Sequence, residues 1–182
     1  MLRKAILENK KESVIAKLAA RTGLMYAETF KLMEAETVRT MFSAFSWQNV
    51  CNGKKKLFDG ISQWFQSRIC NEAKSIGEEI SRLQIAEKLL TSAKTDFQTA
   101  GHQSDAASFI ELVQEALKVA RKDNEFIYFE KIPLAEDLTS IEGPVVVKST
   151  PLTSKLLEND VNIFVNMIAV DPNAKKSECI IS

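Results

Sequence analysis

No proline occurs before residue 133, and the whole 182-residue chain holds only six glycines. Proline and glycine are the strongest local breakers of regular structure. Their scarcity leaves the first 125 residues free to form almost uninterrupted helix, whereas three of the four prolines fall after residue 140. The spacing of apolar residues agrees. Helix-period positions run through residues 2–33, with Gly23 as a kink or end, and again through 37–50 with Val38, Met41, Phe42, Phe45 and Trp47. Asn52-Gly53 reads as a break, after which Lys54-Lys55-Lys56 opens a helix to about Ser75 as a solvated basic face. Gly77 separates two further patterns. Ile61, Trp64, Phe65, Ile69 and Ala73 stand on one side, and Ile80, Leu83, Ala86, Leu89, Leu90 and Ala93 on the other. Large residues on one arm and alanines on both describe one helical hairpin of the tetratricopeptide kind, with no second copy at that repeat's period.

Residues 96–104 read as a polar loop, and Ser104 or Asp105 as the cap of a helix carrying Phe109, Leu112, Val113, Ala116, Leu117 and Ala120. That helix ends on Arg121, Lys122, Asp123 and Asn124. Phe126, Ile127, Tyr128 and Phe129 then carry strand-like propensity, and Pro133 prevents a return to helix. This predicts an extended aromatic hook clamped on a neighbouring surface. The chain stays irregular through Val147, and Thr153 or Ser154 caps a last helix with Leu156, Leu157, Val161, Phe164, Val165 and Ile168. The predicted fold class is therefore all-α, a helical solenoid with a hook and a final helix.

Several function classes find no support. Lys and Arg number 24, as do Asp and Glu, so no bulk field draws nucleic acid or an anionic membrane. Cys51, Cys70 and Cys179 are too scattered for a disulfide framework or a clustered zinc site and suit a reducing compartment. No apolar run approaches the roughly 20 residues of a membrane span. The one histidine, His102, sits in a turn-like Ala-Gly-His-Gln-Ser without a partner that marks it as ligand or base. Glu78 and Glu79 are adjacent and splay by about 100° on a helix, so they do not form a catalytic pair. The reading is a non-enzyme that needs no cofactor and no metal.

The best binding pattern lies at the start. Projected as one helix, Lys4, Leu7, Lys11, Val14 and Leu18 fall within an arc of about 80°. Leu2, Ile6, Ala16 and Ala20 form a second stripe suited to close packing. Residues 1–23 carry six basic and two acidic side chains, a local charge of +4 in a neutral chain. An apolar stripe interleaved with lysines fits an amphipathic partner helix with flanking carboxylates. Lysines snorkelling over ordinary core aliphatics give the alternative reading.

Two positions are candidates for modification. Tyr128 is either an anchored aromatic or, on an exposed hook, a phosphorylation site. The end, Cys179-Ile-Ile-Ser182, has the form of a prenylation box on a polar tail, and a single prenyl chain would give reversible membrane association. A chance ending of a truncated or alternatively spliced product reads equally well.

Four segments together resemble a known family: Val14-Ile-Ala-Lys-Leu18, Gly77-Glu-Glu-Ile-Ser-Arg-Leu-Gln84, KDNEFIYFEKIP at 122–133, and Lys148-Ser-Thr-Pro151. They follow in the order found in Bro domains of Alix-like ESCRT adaptors. The resemblance covers most of residues 1–170, and the C-terminal half or slightly more of that domain, leaving 171–182 as the tail. It implies a curved tetratricopeptide-like solenoid. It also implies a groove for the C-terminal amphipathic helix of a Snf-seven-type ESCRT-III subunit (a charged multivesicular body protein). Lys4, Val14 and Leu18 match groove positions, while Met1 stands where the family places an aromatic residue. Brox-like relatives also end in a prenylation box. The expectation is a cytoplasmic adaptor peripheral to endosomal membranes. A truncated remnant without partner affinity and a prenylated membrane-surface module are the alternatives.

Overall fold

The computed structural model describes residues 2–34, 47–101 and 106–145. Among them are five α-helices: α1 (Leu2–Leu7), α2 (Glu12–Met33), α3 (Trp47–Glu72), α4 (Ile76–Thr99) and α5 (Ala106–Asp123). A π-turn at Asn124–Tyr128 and a 3-10 turn at Ala135–Asp137 follow, and no strand occurs among the described residues. The fold class is all-α, as expected.

Helices α2 to α5 stack in chain order, each against the next. Cross-contacts fix the antiparallel sense. Ser62 donates to the Ala16 carbonyl (2.9 Å), Arg68 pairs with Glu12 (2.6 Å), and Gln48 donates to the Met33 carbonyl (3.2 Å) across α2 and α3. Asn52 and Lys56 of α3 both reach Asp96 near the end of α4, at 2.9 and 2.8 Å. Between them lies one apolar core. It draws on Ile15, Ala16 and Ala19 from α2, Leu57, Ile61 and Phe65 from α3, Ile80, Leu83, Ala86 and Leu90 from α4, and Val113 and Leu117 from α5.

The glycines expected to break helices instead bring helices together. Helix α3 passes through Asn52-Gly53 without interruption, and α2 passes through Gly23. A Cβ at Gly53 would stand 3.0 Å from the Phe97 ring, and one at Gly60 would stand 2.8 Å from Leu90 Cγ. At Gly23 it would overlap the Asp59 carboxylate. A helix-interior glycine costs about 0.5–1 kcal/mol, and close approach of a bulky neighbour offsets that here. The lysine run is likewise no solvated face. Lys55 pairs with Asp59 (2.7 Å), Lys56 with Asp96, and Lys54 lies over the Phe97 ring at 5.6 Å.

Four other expectations change. The long first helix is two helices, because Asn9 adopts a left-handed backbone (φ 48°) between α1 and α2. The loop placed at 96–104 starts later, since α4 continues to Thr99. The hairpin turn falls before Gly77, which belongs to the first turn of α4. The aromatic segment is not a strand: the chain leaves α5 through a wide turn closed by Phe129 N–H to the Asn124 carbonyl (2.8 Å), with Phe129 left-handed at φ 54°. Strand propensity acts through cross-strand neighbours, and none lies beside this segment, so helix continuation wins. Nor is the hook clamped down, for Phe126, Ile127 and Phe129 are between 64% and 74% exposed. The caps at Ser104 or Asp105, His102, the pattern at 37–46, the segment 148–151, the final helix, the boundary at 170 and Cys179 lie outside the described residues.

Candidate partner-binding surface

The five residues of the predicted stripe occupy two helices and the loop between them. Lys4 and Leu7 lie on α1. Lys4 is exposed and pairs loosely with Glu8 (3.6 Å), and Leu7 is 72% exposed. Lys11 is the residue before α2, with an extended backbone (ψ 138°). Val14 and Leu18 sit one turn apart on α2; Val14 is exposed and Leu18 is half-buried against the core. The single-helix projection thus holds only for Val14 and Leu18, because the turn at Asn9 resets the phase.

Helix α2 itself extends the pattern further than the sequence reading took it. Met25 and Leu32 follow Val14 and Leu18, and at about 100° per residue all four project within about 40° of one another. Both are exposed, Leu32 by 72%. Reading Gly23 as a kink hid them; the seven-residue spacing from Leu18 to Met25 to Leu32 was the available signal. Arg21 lies along the same line and reaches Glu28 at 3.8 Å. A soluble helix ordinarily exposes polar residues opposite its packed face. This one exposes Val14, Met25 and Leu32 along a line about five turns long, with Leu18 half-buried within it.

Beside it, the α1–α2 junction and the end of α3 enclose an open cleft of about 680 Å³, lined by Ile6, Ile15, Phe65 and Ile69 with Lys10, Lys11 and Arg68, and also by Glu12, which pairs with Arg68, and Glu72. An apolar floor whose edge carries three cations against two carboxylates accommodates aliphatic side chains and leaves a small positive excess for a partner's carboxylates.

The remaining titratable features support packing rather than chemistry. Burial pushes the Cys70 thiol up to about 11, with Glu78 adding to it, and burial also raises Cys51. Neither is poised as a thiolate nucleophile. Burial likewise raises Glu79, against a stabilising hydrogen bond from Asn71 at 2.9 Å. Tyr128 sits in the exposed π-turn, and no hydrogen bond among the described residues anchors its hydroxyl.

The motif around residue 77 has a clear structural role that the sequence carried only as a resemblance. Arg82 is 2% exposed and joins three elements. Its guanidinium holds Glu78 on its own helix (2.7 Å), donates to Gln63 Oε1 of α3 (3.1 Å), and donates to the Thr139 carbonyl (3.1 Å). The Gly77 N–H donates to Glu130 Oε2 at 2.7 Å.

Comparison with known proteins places these features in context. The family model described as BRO1-like domain matches residues 1–178. Programmed cell death 6-interacting protein of Xenopus laevis is 30% identical over 186 residues, which cover 97% of this chain and 20% of that protein. Apoptosis-linked gene 2-interacting protein X 1 of Caenorhabditis elegans is 28% identical over 166 residues, covering 90% of this chain and 18% of that protein. This chain therefore spans about a fifth of the length of these relatives. Among solved structures, the ALIX BRO1 CHMP4C complex superposes with a TM-score of 0.72 at 27% identity, covering 87% of this chain and 42% of that one.

Proposed function

Because the chain belongs to the BRO1-like domain family, we propose that it is a non-catalytic adaptor of ESCRT-dependent endosomal sorting and membrane remodelling. It docks the C-terminal amphipathic helix of an ESCRT-III subunit. The observation that carries this reading is the exposed Val14, Met25 and Leu32 on α2, in line with the half-buried Leu18 and next to the apolar cleft at the α1–α2 junction. Lys4 and Lys11 supply charge for carboxylates flanking the partner's apolar ridge, and Leu7 extends the apolar surface on α1. The solved complex of an ALIX BRO1 domain with CHMP4C, from a relative of the same fold, supports the choice of partner.

The adaptor would work at endosomal membranes from the cytoplasmic side. Among the described residues no helix is long and apolar enough to cross a membrane. The exposed Tyr128 suits phosphorylation as a control point.

The test is a fluorescence titration of the chain with a labelled ESCRT-III C-terminal helix peptide. Saturable binding is expected, and Met25→Asp should remove it. Burying one aliphatic side chain is worth about 1.5–3 kcal/mol, so an aspartate there should weaken binding at least ~10-fold. Leu18→Asp should do the same at a stability cost, because Leu18 also packs on the core. Unchanged binding by both variants would remove this surface from the reading.

A further inference from the structure

Residues 130–143 run without repetitive structure from the hook back to the N-terminal half of α2, broken only by the 3-10 turn at Ala135–Asp137. An extended segment cannot satisfy its own backbone, so its fixed points must come from the helices it crosses. At its start, Asn124 clamps Glu130 by two reciprocal hydrogen bonds: Asn124 Nδ2 donates to the Glu130 carbonyl (3.0 Å), and the Glu130 N–H donates to Asn124 Oδ1 (2.8 Å). The Glu130 carboxylate then accepts from Gly77 at the start of α4, where a Cβ on Gly77 would overlap the Lys131 carbonyl. In the middle, Arg82 grips the Thr139 carbonyl. Ile141 packs against the core. At the end, Gly143 lies directly on α2. A Cβ there would overlap the Lys17 carbonyl and stand 2.8 Å from the Arg21 nitrogen.

Helix α2 has reason to need such support. Its buried face is built largely of alanines, with Ala16 and Ala19 fully enclosed beside Ile15. Alanine permits close approach to α3 but buries little apolar area, whereas α3 and α4 hold each other through Leu, Ile and Phe.

We propose that residues 130–143 form a strap that fixes the N-terminal half of α2, with Arg82 and Gly143 as positioning residues for its exposed face. The docking surface is then set from two sides: by α3 beneath it, and by the strap beside residues 17–21. The consequence for binding rests on the docking reading above, whereas the consequence for α2 does not.

The experiment is hydrogen exchange on the free full chain, followed by the same peptide titration, for the wild type, Gly143→Val and Met25→Asp. Gly143→Val should quicken exchange in residues 15–24 at least ~10-fold, leave α4 and α5 unchanged, and weaken peptide binding by about tenfold. Met25→Asp should lose binding with no change in exchange. Unchanged exchange at 15–24 in Gly143→Val overturns the strap, and quickened exchange with full affinity overturns its role in positioning the docking face. If the wild type binds no peptide, the docking reading fails. The strap is then decided by exchange alone, upheld by the rise at 15–24 and overturned without it. Should Gly143→Val not fold, Gly143→Ala carries the same comparison, since its single Cβ meets the same atoms.

Discussion

Replacing Arg82 by methionine keeps most of the side-chain volume and removes every hydrogen bond the guanidinium makes. Three acceptors lose a donor: Glu78 Oε1, Gln63 Oε1 and the Thr139 carbonyl. They do not contribute equally. The Glu78 side chain is 36% exposed, so water recovers its carboxylate and that pair is worth at most about 1 kcal/mol. Gln63 Oε1 and the Thr139 carbonyl lie against an enclosed arginine. Gln63 is half-buried and Thr139 is exposed, so water partly replaces the lost donor and each of these bonds is worth about 0.5–1.5 kcal/mol. Methionine recovers some apolar contact, which lowers the sum. The net expectation is a loss of about 2 kcal/mol, a sizeable share of the roughly 5–15 kcal/mol that holds a domain folded. Urea unfolding followed by helical circular dichroism should show the midpoint falling with the slope unchanged. Glu78→Gln should cost under about 1 kcal/mol in the same assay. A loss below about 1 kcal/mol for Arg82→Met would refute the assignment of Arg82 as a structural clamp.

Further predictions follow from single features. Gly60→Val should destabilise the chain by about 1–3 kcal/mol by driving α3 off Leu90 and Ala86, measured by the same urea midpoint. Burial raises the carboxyl of Glu79. Its contribution is therefore fully present below the unfolded value of about 4.3 and is lost as pH rises through the higher folded value. Glu79→Gln should match the wild type near pH 4 and exceed its stability near pH 7; the opposite trend would contradict a desolvated carboxylate. Cys51 and Cys70 should resist maleimide at neutral pH until urea is added, as peptide mass spectrometry would show, because both thiols are buried and raised. Phe126→Ser should shift the melting free energy by no more than about 0.5 kcal/mol, since the hook projects into solvent.

The scarcity of helix breakers and the apolar periodicity made the helices and their core legible in the sequence. Leu83, Leu90, Val113 and Leu117 were all identifiable as inward-facing before any coordinates. Glycine was where sequence reasoning went astray. A glycine that ends a helix and one that admits a neighbouring side chain look alike in one dimension, and only the partner (Phe97 for Gly53, Asp59 for Gly23) separates them. The break at Asn9 was equally hidden, because a single left-handed residue within a charged stretch leaves the apolar period almost intact. That error joined Lys4 and Leu7 to the wrong helix and, with the misread Gly23, left Met25 and Leu32 out of the candidate surface. The strap escaped notice for a different reason. Its contacts are backbone groups met by distant side chains, and such pairings leave no periodic mark.

The central claim is that the exposed face of α2 receives an amphipathic helix, and methyl NMR during a peptide titration tests it most directly. The account predicts that the methyl signals of Val14, Leu18, Met25 and Leu32 shift together and saturate, while that of Ile127 on the hook stays in place. Shifts concentrated at Ile127, or saturable binding that leaves the α2 methyl signals unmoved, would contradict it.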